Sequence, residues 1–206
     1  RKKNEHGKII RSFKEQEADI LVGTQMVSKG LDFGNVSLVG VISIDLLLNL
    51  PDFRAPERAF QLLTQVAGRS GRREKKGEVV IQTFFPEHYC VISSKNHSIK
   101  GFMQIEMENR KELNYPPFSR IIRILAEGNN ENRLKYLLNK LKREISQKIK
   151  EDMHILGPVS AVIEKINRNF RYHIIIKHNS PLILNEKIRK IIENLNPQEF
   201  SQIKID

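Results

Sequence analysis

The sequence predicts two α/β units in tandem: a parallel-sheet unit over residues 1–112, then an α+β sandwich over residues 113–206. Three observations predict it. In the first half short β-branched runs alternate with amphipathic helices, the rhythm of a parallel sheet. YPPF at residues 115–118 breaks that rhythm, because proline ends a helix and restricts the residue before it. The order that follows, strand, helix, strand, strand, helix, strand, is a split βαβ or ferredoxin-like sandwich.

Residues 5–17 place Ile9, Ile10 and Phe13 at helical spacing. Ile20 to Val22, closed by Gly23, reads as a short buried strand. GTQMVSKGLDFGN is punctuated by glycine and polar, hence a loop. VSLVGVISID, residues 36–45, is a second buried strand. LLLNLPDFRAPER is a loop with two prolines, and Pro56 suits the first turn of a helix from Ala55 to Gln65. GEVVIQTF, residues 77–84, is a third strand. Residues 87–112 are helical, with a break expected near Gly101. In parallel sheets ligands gather at the carboxyl ends of strands, where the loops after Val22 and Asp45 fall.

In the second half SRIIRILAEG reads as a strand, and residues 130–152 as a long basic amphipathic helix. HILGPVSAVIEKI and FRYHIIIKH are strands joined by an INRN turn. Ser180 is the expected N-cap, and Pro181 the first residue, of the helix in SPLILNEKIRKIIENL. FSQIKID begins a last strand.

Composition narrows the function. Net charge is +11, divided +5 and +6 between residues 1–104 and 105–206. An excess spread over both halves favours a polyanionic partner, nucleic acid first. One cysteine, Cys90, excludes an internal disulfide and a cysteine-rich zinc site, and fits a reducing compartment. Neither a membrane-length apolar run nor a signal-peptide core is present. His88, His97, His154, His173 and His178 are dispersed, without metal-ligand spacing. The chain starts without Met in the middle of a helical pattern, as an excised piece of a larger protein would.

Two stretches carry chemistry. In QVAGRSGR, Arg69 and Arg72 stand three apart, each after a small residue. Arginine is no base at neutral pH, but its planar fork stabilises a transferring phosphoryl group, as an arginine finger does. Gln65, one turn before Arg69, could orient a water. In GTQMVSKGLDF, Thr24 and Ser28 suit phosphate oxygens, Lys29 adds charge, and Asp32 could accept from a sugar hydroxyl. The plain alternatives are a solvated basic turn and an ordinary glycine loop.

Together the two are specific. GTQMVSKGLDF resembles motif V, and QVAGRSGR motif VI, of superfamily 2 helicases. PDFRAPERAFQLLTQVAGRSGR is similar to the primosomal protein N′ family of replication-restart helicases. YPPF and LGPVSAVIEKINRNFRYHIIIK resemble that family's C-terminal domain, so the resemblance covers essentially the whole chain.

The resemblance implies a fold: an incomplete RecA-like helicase lobe, then a domain like ribosomal protein S10. It implies an activity, ATP- and Mg²⁺-dependent 3′ to 5′ DNA unwinding at stalled forks, with primosome assembly. Arg69 and Arg72 would reach the γ-phosphate, with Gln65 at the same interface. Gly30 and Asp32 would lie near the nucleotide sugar. Thr24, Gln25 and Lys29 would face single-stranded DNA. The sequence has no GxxxxGK[ST] loop and no DEx[HD] run, so the chain alone is expected not to hydrolyse ATP. The family's zinc module belongs to the parent protein and not to this chain. Partners implied are forked and single-stranded DNA, the single-stranded-DNA-binding protein and other primosome proteins, in the bacterial cytoplasm at the nucleoid and not at a membrane.

In the second half INRNFRYH offers Arg168 and Arg171 on either side of Phe170, cations beside an aromatic ring, which suits phosphate contact with base stacking. The alternative is a hairpin whose Phe170 and Tyr172 pack on the core. Two other functions stay open: a non-catalytic nucleic-acid or protein adaptor, and a lobe of another superfamily 2 translocase.

Overall fold

A computed structural model describes residues 2–24, 36–67, 77–150, 152–179, 183–194 and 203–205. It divides into two compact units, residues 1–106 and 107–206. No described helix is long and apolar enough to cross a membrane.

The first unit holds α1 (Lys2–Lys14), β1 (Leu38–Val41), α2 (Asp45–Leu48), α3 (Ala55–Ala67), β2 (Glu78–Ile81) and α4 (Tyr89–Lys95). Helix α5 (Ile99–Glu112) starts here and ends in the second unit. β1 and β2 pair in parallel, Leu38 opposite Glu78 through Val41 opposite Ile81. The core is aromatic. Phe60 of α3 stacks on Phe102 of α5 at 4.1 Å, and Tyr89 lies 5.7 Å from Phe102. Ile44, Leu63, Cys90 and Val91 close around them.

Several boundaries differ from the sequence expectation. Residues 20–22 form no strand: Ile20 and Val22 are 80% and 84% exposed, and no described strand pairs with them. An apolar run becomes a strand only when a ladder partner accepts its backbone bonds. β1 stops four residues before Asp45, because Ser43 turns to φ 56 and Asp45 starts α2. The break in residues 87–112 falls at Asn96–Ser98, with His97 at φ 50, and not at Gly101. Gly101 lies inside α5, where its N–H donates to Ser98 Oγ at 3.1 Å. That hydroxyl would stand only 2.7 Å from a Cβ there, so glycine admits the cap.

The second unit holds β3 (Arg120–Gly128), α6 (Glu131–Lys148), β4 (Met153–Ile166), β5 (Asn169–His178), α7 (Ile183–Glu193) and β6 (Ile203–Ile205). Sheet order is β4-β5-β3-β6, all neighbours antiparallel, as a split βαβ requires. Asn130 caps α6 by accepting from the Arg133 N–H at 3.0 Å. Leu134, Leu137, Leu138, Leu141 and Ile145 recur at helical spacing and bury one face of α6. They meet Ile122, Ile124 and Ala126 of β3 and Tyr172, Ile174 and Ile176 of β5. Each such leucine removed from water is worth about 2 kcal/mol. The expected cap Ser180 and first-turn Pro181 lie outside the described residues.

Candidate nucleic-acid and nucleotide-facing residues

Of the motif V set only Thr24 is described, exposed at the end of its segment. Gln25, Lys29, Gly30 and Asp32 lie outside the described residues, and so do Arg69 and Arg72. Gln65 is exposed on the last turn of α3, on the side away from the buried Leu63 and Val66. Among the described residues no group of three or more His, Cys, Asp and Glu could hold a metal.

The hairpin is fully described. Asn167 and Arg168 both take positive φ, 48° and 67°. That is the signature of a type I′ two-residue turn, whose twist matches the flanking strands. Arg168 is exposed at the tip. Phe170 is half-buried against the core, and Lys165 Nζ lies 4.4 Å from its ring centre. Arg171 is engaged: its Nε donates to Glu127 at 2.8 Å and its Nη1 to the Ile163 carbonyl at 3.3 Å. The second bond holds an irregularity in β4, where four residues between Ser160 and Lys165 face Arg171 alone. Tyr172 is buried and donates its hydroxyl to Glu131 at 2.7 Å. The tip therefore presents Arg168 and Lys165 as exposed cations, while Arg171 and Tyr172 serve the fold.

Next to Tyr172 on β5, His173 points to the sheet face opposite the helices, among Arg123 and Arg171. Burial, then those two positive charges, holds its imidazole below the ordinary histidine value.

A third group escaped the sequence reading. Asp52 gathers two guanidinium groups: Arg54 Nε at 3.1 Å and Nη2 at 3.2 Å, and Arg58 Nη2 at 3.1 Å. The Arg54 backbone N–H adds a bond at 3.0 Å. Partial burial raises the Asp52 carboxyl, but the Arg54 hydrogen bonds and both arginine charges outweigh it and leave the group below its usual range. The signal was PDFRAPER, noticed only as a family signature. Its spacing puts Arg54 and Arg58 one helical turn apart at the start of α3.

Asp45, the first residue of α2, is buried. Its carboxylate accepts from Thr83 Oγ1 at 2.7 Å and from the Phe84 N–H at 3.2 Å. Thr83 Oγ1 in turn accepts from the Phe85 N–H at 3.0 Å. These bonds fix the turn after β2 with Phe84 83% and Phe85 54% exposed.

Comparison with known proteins follows the same division. Residues 1–74 match the helicase conserved C-terminal domain, and residues 111–206 the primosomal protein N C-terminal domain. All of the chain aligns with the replication restart protein PriA of Bacillus subtilis at 40% identity, and with that of Synechocystis at 41%. The Borreliella burgdorferi protein of the same name is 36% identical over 96% of the chain.

The chain belongs to the primosomal protein N′ family.

It spans about a quarter of the length of those first two relatives, 26% and 25%. The two matched domains stand here in tandem as α/β units, the first with a parallel sheet and the second with an antiparallel one.

Proposed function

We propose that this chain acts as the second motor lobe and C-terminal domain of an ATP-dependent 3′ to 5′ DNA helicase that restarts replication at stalled forks. One observation carries it: similarity to proteins named replication restart protein runs through both units without a break. On this reading residues 1–112 are the lobe and residues 113–206 bind DNA and partners. Arg69, Arg72 and Gln65 face the nucleotide phosphates, and Gly30 and Asp32 the sugar. Thr24, Gln25 and Lys29 touch the strand. Arg168 contacts DNA at the hairpin tip, where Arg171 fixes the hairpin and Phe170 backs it.

MgATP, bound, supplies the free energy for movement. The chain's own part is to present two guanidinium groups to the phosphates and to shift its strand-binding segments as the lobes close. The cradle and the magnesium carboxylate come from elsewhere in a longer protein, as does any zinc. Other partners are a single-stranded-DNA-binding protein and primosome proteins of the bacterial cytoplasm.

Two measurements test this. The purified chain should show no ATP turnover; steady hydrolysis abolished by Arg72→Ala would refute the expectation that the chain alone lacks the means to hydrolyse ATP. In fluorescence anisotropy the chain should bind labelled forked DNA with steep salt dependence, weakened by Arg168→Ala. Absence of binding at low salt would instead favour a protein-docking adaptor.

A further inference from the structure

Neither the PDFRAPER segment nor the rings of Phe84 and Phe85 take part in the proposed motor function. Both lie on segments that leave the carboxyl ends of the two paired strands of the first unit. β1 and β2 are parallel, so their carboxyl ends lie side by side; the Gln82 N–H donates to the Val41 carbonyl at 2.9 Å, and the Ile44 N–H to the Gln82 carbonyl at 3.3 Å. From that edge β1 leads through α2 and a short loop to Asp52, Arg54 and Arg58, and β2 leads directly to Phe84 and Phe85.

We propose that this edge is a binding site for single-stranded nucleic acid, with Arg54 and Arg58 on a backbone phosphate and Phe84 and Phe85 stacked on bases. The inference rests on the nucleic-acid reading of the chain and gives that reading a second, separate surface.

Three observations support it. Two guanidinium groups share the Asp52 carboxylate, which engages only two of the Arg54 nitrogens and one of the Arg58 nitrogens. Both side chains are half exposed, and their remaining N–H groups can fork onto phosphate oxygens. The phenylalanines are not surplus to a small core. Tyr89 and Phe60 of the same unit each stack on Phe102, while the Phe84 N–H bonds the buried Asp45 carboxylate and the Phe85 N–H bonds Thr83 Oγ1, which itself donates to Asp45. Aromatic faces and cations carried on segments from one sheet edge suit a strand bound without sequence preference, because every base has a π-face and every nucleotide a phosphate.

The competing occupant is an apolar protein surface, and the test separates the two. The full chain is titrated against a fluorescein-labelled oligothymidine across a salt series, with circular dichroism as the folding control. Arg54→Gln/Arg58→Gln should lower the slope of log K against log salt by about 1–2. Phe84→Ala and Phe85→Ala should each weaken binding about tenfold and leave that slope unchanged. Phe84→Trp should restore affinity, while Phe84→Leu, apolar but unable to stack, should not. Folded phenylalanine variants that bind like the unmodified chain would overturn this site and leave the general DNA reading standing. Phe84→Leu at full affinity would overturn stacking. An unmodified chain that fails to bind the oligomer at low salt would overturn both.

Discussion

Cys90 shows how burial decides a side chain's chemistry. It is fully buried between Ile44 and Phe102, and burial, with the Glu106 charge, pushes its thiol up to about 12. The nucleophile is the thiolate, so Cys90 should be inert to iodoacetamide at pH 8 in the folded chain and react fully in denaturant. Rapid native labelling would contradict the packing described. His88 is the second case. It caps α4 by accepting from the Cys90 N–H on Nδ1 at 3.2 Å, which needs the unprotonated nitrogen. Burial holds its pKa below the ordinary value against the opposing charge of Glu106. His173 is lowered too, and its buried Nδ1 has no hydrogen-bond partner among the described residues. Both groups bind protons more weakly folded than unfolded. Their contribution to stability is complete above about pH 6.5, the unfolded histidine value, and is lost as pH falls toward the lowered folded values. Urea midpoints should therefore drop between pH 7.5 and pH 5.5. His88→Asn, which caps without titrating, should flatten that dependence in the first unit, and His88→Ala should cost about 1 kcal/mol at pH 7.5.

Among the elements, the β4–β5 hairpin sets local strain against exposure. A type I′ turn favours asparagine then glycine, and here the second place is Arg168 at φ 67. A non-glycine residue there costs about 1 kcal/mol, so Arg168→Gly should raise the thermal midpoint while weakening any DNA contact made at the tip. A variant that is both less stable and unchanged in DNA binding would contradict the turn geometry and the role of Arg168 together. The charge arrangement at the tip was visible as INRNFRYH, but which side chains face out was not. Phe170 pairs with Lys165 across the ladder, and both follow a register shift. That shift moves residues 161–164 out of simple alternation, so period-two reasoning cannot say which side they face.

For the whole molecule, each unit has its own core, and damage to one should stay local. Leu138 is fully buried in the second core, so Leu138→Ala should cost that unit about 2–5 kcal/mol. Hydrogen exchange should rise in peptides from residues 107–206 and stay unchanged in the aromatic cluster around Phe60 and Phe102. Protection lost equally from both would show that the cores unfold as one.

The βαββαβ order, the α6 face and the α3 helix were legible in the sequence, because helical periodicity, N-caps and proline breaks are local signals. QVAGRSGR and GTQMVSKGLDF pointed to the family for the same reason: their residue types and spacing are the signal. Tertiary structure decided what depends on a partner far along the chain. Ile20 to Val22 reads as a strand from its residues, yet no described strand offers it a ladder. Arg171 looks like a phosphate ligand until Glu127 and the Ile163 carbonyl take its donors. Phe84 reads as the end of a strand over residues 77–84, yet its N–H bonds Asp45, 39 residues earlier, in a turn that leaves its ring 83% exposed. Sequence by itself determined the elements and the family. Tertiary contacts decided which cations and rings remain exposed to a ligand, because a hydrogen bond to a distant carboxylate outweighs a local hydrophobic pattern.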